Sequence, residues 1–222
     1  MQEKKSLWLA PSILSADFCH LGDEVNNVLA SGADMIHFDV MDNHYVPNLT
    51  LGPMVCKSLR SHGIKAPIDV HLMVTPVDEM IKAFASAGAS MITFHPEASQ
   101  NTEASLALIK SLGCKAGLAL NPGEDTAILK PYISQLDLVL LMAVNPGFAG
   151  QTLIASVYDS ITQARLLLDQ SHSHARLSVD GGVNMENIGR VVSLGADTIV
   201  AGSAIFSEDD YAERITGLRS MC

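Results

Sequence analysis

The sequence has few positive charges, and those it has are scattered. It contains 14 Lys and Arg residues against 24 Asp and Glu, which gives a formal net charge of −10 at pH 7. Proteins that bind a nucleic-acid backbone or lie on anionic lipid need clustered Lys and Arg, and the sequence has no such cluster. We therefore expect neither a nucleic-acid partner nor a membrane partner.

Cysteine pairs and long apolar runs are also lacking. The four cysteines are far apart and form no C-x-x-C pair, so we expect reduced thiols instead of a disulfide framework. No uninterrupted apolar stretch reaches the about 18 residues that a membrane span needs. Pro11 interrupts the N-terminal apolar run, and no A-x-A-like cleavage site follows it. These absences favour the cytoplasm as the location of the protein.

The sequence does contain a repeated motif. SGADMIHFDV at 31–40, AGASMITFHP at 87–96 and LGADTIVAGS at 194–203 each resemble a helix that ends at glycine and is followed by a short apolar strand. LGCKAGLALNP at 112–122 is a looser copy. The repetition indicates alternating helices and strands.

This alternation continues along the whole chain. Between the apolar segments, apolar residues recur every three or four positions, which indicates helices. We predict strands near residues 7–13, 34–40, 67–73, 91–95, 115–120, 137–142, 176–180 and 198–201. Eight strand and helix units suit a small (β/α)8 barrel, whereas two Rossmann-like halves should bring a G-x-G-x-x-G motif, which is missing. Without any linker to divide the chain, we predict one α/β domain over residues 1–222, a single (β/α)8 TIM barrel.

The second predicted strand carries polar side chains where a barrel interior is expected. In HFDVM, His37, Asp39 and Met41 alternate with apolar residues that would face the helices. Side chains two residues apart lie about 6 to 7 Å from each other on one face of a strand. His37 and Asp39 can therefore share a ligand near the mouth, where the chemistry of such barrels collects.

The third predicted strand repeats the pattern, and the seventh extends it. In IDVHLMV, Asp69, His71 and Met73 would face inward, and in RLSVDGGV, Asp180 ends its strand at the mouth. Two imidazoles and two carboxylates then converge: His37, Asp39, His71 and Asp180. Nitrogen and carboxylate ligands together suit Zn²⁺, Fe²⁺, Mn²⁺ or Co²⁺ better than Mg²⁺ or Ca²⁺. Because gathered carboxylates are costly without a cation, we predict one divalent ion of this group per subunit.

The remaining histidines receive no functional assignment. His20, His62, His172 and His174 have polar neighbours in helical or loop segments and are interpreted as solvated. His44 and His95 lie near strand ends, and the sequence favours no role for either of them.

The chain as a whole resembles the ribulose-phosphate 3-epimerase family. The resemblance runs from LAPSILSADF at 9–18 through HFDVMDNHYVPNLTLGP, APIDVHLMV, ITFHPEA, VNPGFAGQ and VDGGV to ADTIVAGSAIF at 196–206. It implies a (β/α)8 barrel of the pentose phosphate pathway that interconverts ribulose 5-phosphate and xylulose 5-phosphate. It also implies a divalent metal, often zinc or iron.

The resemblance implies specific roles for site residues. The four converging side chains become the metal ligands, and Asp39 and Asp180 become the acid/base pair that serves opposite faces of C3 through an enediolate. Further contacts to a small sugar phosphate are expected at Ser12, Met41, His71, Met73, Met142, Gly147, Phe148, Ala149, Gly150, Gly181, Gly182, Gly202 and Ser203. The three methionines would line the site with uncharged, polarisable surface, although ordinary core packing is an alternative.

Glycine-rich loops follow the predicted strands 6, 7 and 8. They read NPGFAGQT, DGGV and AGSAIF, and Ser203 opens a possible helical turn. Backbone N–H groups in such loops bind dianions without Lys or Arg, and barrels of this class often hold phosphate there. We therefore predict phosphate-binding loops, although the glycines could also serve only as tight turns.

Two positions depart from the family pattern. Many relatives have glycine where this chain has Asn43 and Ala149. Asparagine tolerates positive φ better than other non-glycine residues, so Asn43 is a mild change. Ala149 matters only if its backbone needs positive φ or approaches the phosphate closely.

Alternative functions share much of this chemistry. A 3-epimerase of another ketose phosphate, such as allulose 6-phosphate, would use the same metal, bases and loops. A metal-dependent barrel hydrolase often opens with H-x-H on its first strand, where this chain has APSIL. A sugar-phosphate sensor without activity would need no carboxylate pair. The oligomeric state is open, and a homo-oligomer is possible.

Overall fold

Eight parallel strands form one sheet in a computed structural model that describes residues 5–207 and 210–222. The sheet order is β1-β8-β7-β6-β5-β4-β3-β2. The strands are β1 (Trp8–Pro11), β2 (Ile36–Met41), β3 (Ile68–Met73), β4 (Met91–Phe94), β5 (Lys115–Leu120), β6 (Leu138–Met142), β7 (Arg176–Asp180) and β8 (Thr198–Ala201). Asp34 N donates to Leu9 O at 3.0 Å, and a parallel bridge joins Ser12 to His37. These contacts bring the first two strands together and confirm the predicted barrel.

Helices alternate with the strands over most of the chain. They are α1 (Leu21–Ala30), α2 (Pro53–Ser61), α3 (Asp78–Ala87), α4 (Thr102–Ser111), α5 (Val157–Gln170), α6 (Ile188–Ser193), α7 (Ser203–Phe206) and α8 (Tyr211–Ser220). Two of them begin at a side-chain cap: Asn101 accepts from Ala104 N at 3.1 Å before α4, and Asp210 accepts from Glu213 N at 2.9 Å before α8. Within the described residues, no helix is both long and apolar enough to cross a membrane.

The connection from β5 to β6 departs from the expected alternation. It contains two 3₁₀ helices, Thr126–Leu129 and Ile133–Gln135, in place of an α-helix. Pro122 and Pro131 fall in this connection, and proline cannot donate the backbone hydrogen bond that a helix interior requires. The segment is therefore limited to short turns, which still cover the outside of the barrel.

The predicted alternation of side chains along the strands is confirmed. The outward-facing apolar residues of β2 and β3 join the main core between the barrel and the helices. There Phe38 contacts Phe84 edge to face, with ring centroids 5.6 Å apart. Met41 and Met73 belong to a separate cluster with Val46 at the mouth. The two faces of each strand thus serve two different compartments.

The N-terminal end of the barrel, which we call the floor, holds a charged cluster. The carboxylate of Asp197 lies 3.4 Å from Arg176, 3.5 Å from Arg165 and 3.9 Å from Lys5. It also accepts from Leu177 N at 3.1 Å, and the Arg176 guanidinium lies 3.7 Å from the centroid of the Trp8 ring. This carboxylate is therefore matched by cations of the chain itself.

Candidate metal centre and active site

Three strands bring the four predicted ligands together at the mouth. His37 and Asp39 come from β2, His71 from β3 and Asp180 from the end of β7. One ligand atom from each of these residues lies within 4.8 Å of the others. The β2–β3 register explains part of this, because it places Asp39 beside His71. The predicted convergence of two imidazoles and two carboxylates is confirmed.

The distances in this cluster suit a bound cation. Asp39 Oδ1 lies 3.2 Å from both His37 Nε2 and His71 Nδ1, and Asp180 Oδ2 lies 3.7 Å and 4.0 Å from the same two nitrogens. Ligand atoms about 2.0 to 2.1 Å from a tetrahedral ion lie about 3.3 Å apart. His37 Nε2 is buried and has no hydrogen-bond partner. An unpartnered imidazole nitrogen facing two carboxylates is what a cation site requires, so the residues fit a divalent metal.

Burial and neighbouring charges give the carboxylates of Asp39 and Asp180 different proton affinities. Burial raises the pKa of Asp180 to about 6, and the negative charge of Asp39 adds to this. Burial acts in the same direction on Asp39, but His37 and His71 outweigh it and hold the pKa of Asp39 well below its usual range. Burial lowers the pKa of His37, yet Asp39 and Asp69 together hold it well above its ordinary value. Asp180 therefore holds a proton more tightly than Asp39 does.

Two further residues support the histidines, and the sequence analysis assigned neither of them a role. Asp69 accepts a hydrogen bond from His37 Nδ1 at 2.9 Å, and His95 Nε2 lies 2.9 Å from His71 Nε2. Burial and the neighbouring His71 hold the pKa of His95 well below its ordinary value. The inward pattern of β3 could have pointed to Asp69. His95 lies just past β4, and nothing in its local sequence indicates this contact.

A cavity of about 430 Å³ opens above the cluster. Asp39 and Asp180 line it, whereas His37 and His71 are fully buried and do not. The predicted contact residues that line it are Ser12, Met41, Met73, Met142, Gly147, Phe148, Ala149, Gly150, Gly181, Gly182, Gly202 and Ser203. Ser12 also donates from Oγ to Asp39 Oδ2 at 2.5 Å. The cavity therefore brings the two aspartates and the predicted contact residues together in one place. A contact between His71 and the substrate stays a prediction.

The loops around the cavity need glycine for steric reasons. Gly182 has φ +67°, and a Cβ there would lie 2.3 Å from Leu153 N. In the loop after β6, Gly147 and Gly150 adopt positive φ, but Ala149 does not. Asn43 has φ 60°, a value that asparagine tolerates. Neither departure from the family pattern therefore strains the backbone.

Asn48 connects two loops across the mouth. Its Nδ2 donates to Gly147 O at 2.7 Å, so that the loop after β2 holds the loop after β6. A Cβ on Gly147 would approach Val46 and Pro47 of the same loop at 3.8 and 3.9 Å. Local sequence patterns do not predict this contact, because the two residues are far apart in the chain.

The fold and the site together define a class of protein, a (β/α)8-barrel enzyme whose polar centre at the C-terminal mouth could hold a metal ion. The chain belongs, more particularly, to the ribulose-phosphate 3-epimerase family. The model of the Ribulose-phosphate 3 epimerase family matches residues 8–206. This confirms the resemblance that the motifs indicated.

Individual relatives agree with this assignment. The chain is 56% identical to the Ribulose-phosphate 3-epimerase of Escherichia coli (strain K12) over 97% of this chain and 96% of that protein. It is also 56% identical to the Ribulose-phosphate 3-epimerase of Serratia marcescens, over 93% and 99%. A solved structure of a mutant tryptophan synthase alpha-subunit from Pyrococcus furiosus superposes with a TM-score of 0.69, covering 98% of this chain and 96% of that one at 15% identity. At that identity the likeness shows the barrel fold alone.

Proposed function

We propose that the protein interconverts D-ribulose 5-phosphate and D-xylulose 5-phosphate by epimerisation at C3. The observation that carries this proposal is the pair Asp39 and Asp180, which line one cavity directly above a cluster able to hold a metal. Membership of the epimerase family and relatives at 56% identity support it. A hydrolase or an inactive sensor has no comparable support.

Epimerisation needs one proton removed from C3 and another delivered to the opposite face. Asp39 on β2 and Asp180 on β7 come from different strands of the barrel wall, so a planar enediolate could lie between them. In this division one carboxylate accepts a proton while the other donates one. The Ser12 hydroxyl, bonded to Asp39 Oδ2, would orient that carboxylate.

The metal proposed for the cluster is one divalent ion per subunit, Zn²⁺, Fe²⁺, Mn²⁺ or Co²⁺. His37, Asp39, His71 and Asp180 would hold it. When bound, such an ion supplies Lewis-acid stabilisation of several kcal/mol to negative charge developing on substrate oxygens. The buried methionines Met41, Met73 and Met142 would exclude water and keep electrostatic interactions strong around the reacting carbons.

The phosphate of the substrate would bind at the loops after β6, β7 and β8. Gly147, Gly150, Gly181, Gly182 and Gly202 line the cavity there. Their backbone allows close approach of a dianion, and Ser203 adds a hydroxyl at the start of α7. Among the described residues that line the cavity, none is Lys or Arg. This is consistent with a net charge of −10, because backbone N–H groups bind anions without a side-chain cation.

Purified protein incubated with ribulose 5-phosphate, with and without a chelator, tests the proposal. We expect xylulose 5-phosphate to form and the chelator to stop its formation. The same assay with allulose 6-phosphate tests the alternative ketose phosphate. No product from metal-loaded protein would overturn the proposed function.

We further propose one domain over residues 1–222, because strands from residue 8 to residue 201 share one sheet.

A further inference from the structure

The two histidines of the proposed metal centre are supported by different partners. His37 places its Nδ1 against the carboxylate of Asp69. An ionised carboxylate accepts hydrogen bonds and cannot donate one. His71 places its Nε2 2.9 Å from His95 Nε2, so that two imidazole nitrogens face each other. At that distance one nitrogen must donate and the other must accept, because two protons would clash and two lone pairs would repel. The pair therefore allows two arrangements, with the shared proton on His71 Nε2 or on His95 Nε2.

The direction of this hydrogen bond follows from the other nitrogen of His71. His71 Nδ1 lies 3.2 Å from Asp39 Oδ1 and 4.0 Å from Asp180 Oδ2, so it faces the centre of the ligand cluster. A nitrogen that binds a cation must present its lone pair, which leaves the proton of His71 on Nε2. His95 Nε2 must then accept, and neutral His95 carries its own proton on Nδ1.

We propose that His95 is a positioning residue, which fixes the tautomer and ring orientation of His71 through this hydrogen bond. The inference rests on the metal centre of the proposed function. It adds a residue from β4's end to a centre otherwise built from β2, β3 and β7. Supporting residues of this kind hold metal-binding histidines in the orientation that binding requires.

The surroundings of His95 agree with the assigned tautomer. His95 Nδ1 is buried without a hydrogen-bond partner and lies 3.8 Å from Glu97 Oε1. A protonated Nδ1 is attracted by that carboxylate, whereas a bare lone pair would be repelled. Glu97 Oε1 is held in place by Tyr45, whose hydroxyl donates to it at 2.5 Å, and by Asn121 Nδ2 at 2.7 Å.

His95 is also held rigidly. The Tyr45 ring lies 5.0 Å from the His95 ring, centroid to centroid, at an angle of 34°. The backbone carbonyl of His95 accepts from Ala98 N at 3.0 Å in the turn that follows β4. His95 is fully buried. A rigid acceptor restricts the rotation of the His71 ring, which an exposed side chain or a water molecule would do less well.

The test compares two substitutions of His95 with a control on β4, the strand that His95 follows. His95→Leu removes the acceptor, whereas His95→Gln keeps a side-chain oxygen that can accept from His71 Nε2. Ile92→Leu changes packing on the outer face of β4, where Ile92 is fully buried. Dissociation constants for Zn²⁺ are measured by chelator competition, and the absorption spectrum is recorded after loading with Co²⁺.

We expect His95→Leu to weaken Zn²⁺ binding roughly 10- to 100-fold and to change the Co²⁺ spectrum. His95→Gln should recover most of the affinity, and Ile92→Leu should behave like the unchanged protein. If the unchanged protein binds metal and epimerises its substrate while His95→Leu keeps its affinity and spectrum, the role of His95 is refuted and the proposed function stands. If the unchanged protein binds no metal, the proposed metal centre and the role of His95 are both refuted, and the product assay still decides the epimerisation.

A measurement on the unchanged protein covers the case in which His95→Leu does not fold. In zinc-loaded protein with ¹⁵N-labelled histidine, NMR should show the proton of His71 on Nε2 and that of His95 on Nδ1. A proton on His95 Nε2 would overturn the inference, because His95 would then be the donor.

Discussion

The two ends of the barrel both bury carboxylates, but they balance the negative charge in different ways. At the floor, Asp197 lies within 4 Å of three cations of the chain, Lys5, Arg165 and Arg176. At the mouth, Asp39 and Asp180 face two imidazoles, and the ion pairs of the described residues bring no Lys or Arg to them. The floor carries its own positive charge, whereas the proposed source of positive charge at the mouth is a metal ion held by the ligand cluster.

The difference follows from what each end has to do. A carboxylate paired permanently with arginine has little freedom to exchange a proton or to bind a metal. A carboxylate beside an imidazole and a substrate cavity can do both. The floor is therefore expected to govern the stability of the protein and the mouth to govern its activity, and each of the following predictions tests that division.

The largest effect is expected from the acid/base pair at the mouth. Asp39→Asn and Asp180→Asn should each lower kcat by about 10²- to 10⁴-fold or more, because asparagine cannot accept the proton. If each aspartate serves one face of C3, each variant should still exchange the C3 hydrogen of one epimer with heavy water. The measurement is exchange and turnover in metal-loaded variants.

The two-carboxylate mechanism fails if either variant epimerises normally. Loss of exchange with both epimers at full metal occupancy would show instead that each carboxylate is needed in both directions. Metal content is checked in both variants, because an empty site would silence exchange for a trivial reason.

Loss of a histidine ligand should have the next largest effect. His37→Ala and His71→Ala should weaken metal binding by more than the roughly 10- to 100-fold expected from a supporting residue, and activity should fall with it. The barrel should stay folded, because the apolar residues of β2 and β3 keep their packing against the helices. Elemental analysis and circular dichroism measure the two effects. Full metal occupancy in both variants would refute the ligand assignment.

At the floor, the opposite result is expected. Arg176→Met removes a cation beside Asp197 and the stacking on Trp8, and should lower the free energy of unfolding by about 2 kcal/mol. Metal affinity and kcat should not change. Arg190→Met is the matched control, because Arg190 also stacks on an aromatic ring, that of Tyr158 at 3.8 Å, and we expect a loss below about 1 kcal/mol there.

The sign of the pH dependence sharpens this prediction. Burial raises the pKa of Asp197 above its ordinary value, while Lys5 and Arg176 act in the opposite direction. Removing Arg176 should raise this pKa further, so the variant should lose stability as pH rises through it and approach the unchanged protein at acid pH. Urea unfolding at several pH values measures this. A deficit that grows toward acid pH would contradict the interpretation.

A smaller effect is expected at the phosphate loops of the mouth. Ser203→Asp should raise KM for the phosphorylated substrate at least about tenfold, because a negative charge would face the dianion, and metal affinity should not change. Ser111→Asp, at the exposed end of α4, controls for the added charge. An unchanged KM would move the phosphate site away from the loop after β8.

The smallest effect is expected where Asn48 holds the loop after β6. Asn48→Ala removes one hydrogen bond worth about 1 kcal/mol and should raise KM by roughly fivefold while kcat and metal affinity change little. Leu49→Ala is the control, because Leu49 is the exposed neighbour of Asn48 on the same loop. Equal KM values for both variants would show that the contact with Gly147 does not order the cavity.

The sequence by itself determined the barrel and the four proposed ligands. Strand side chains alternate with a period of two and helices repeat every 3.6 residues, so the pattern around His37, Asp39 and His71 assigns faces without knowledge of distant contacts. The strand bounds and the ligand cluster were predicted because they depend on such local spacing. The β5–β6 connection was not, because its prolines interrupt the helical pattern and leave only 3₁₀ turns.

Only the tertiary structure decided which residues support the ligands and balance the charges. His71 on β3 meets His95 just past the end of β4, Asn48 meets Gly147 across the mouth, and Lys5 meets Asp197 at the floor. Each pair is separated by many residues, and its contact depends on strand register and barrel closure, which local periodicity does not encode. The proposed ligands at the mouth could therefore be predicted from the sequence. The residues that orient them could not, because their contacts form only in the closed barrel.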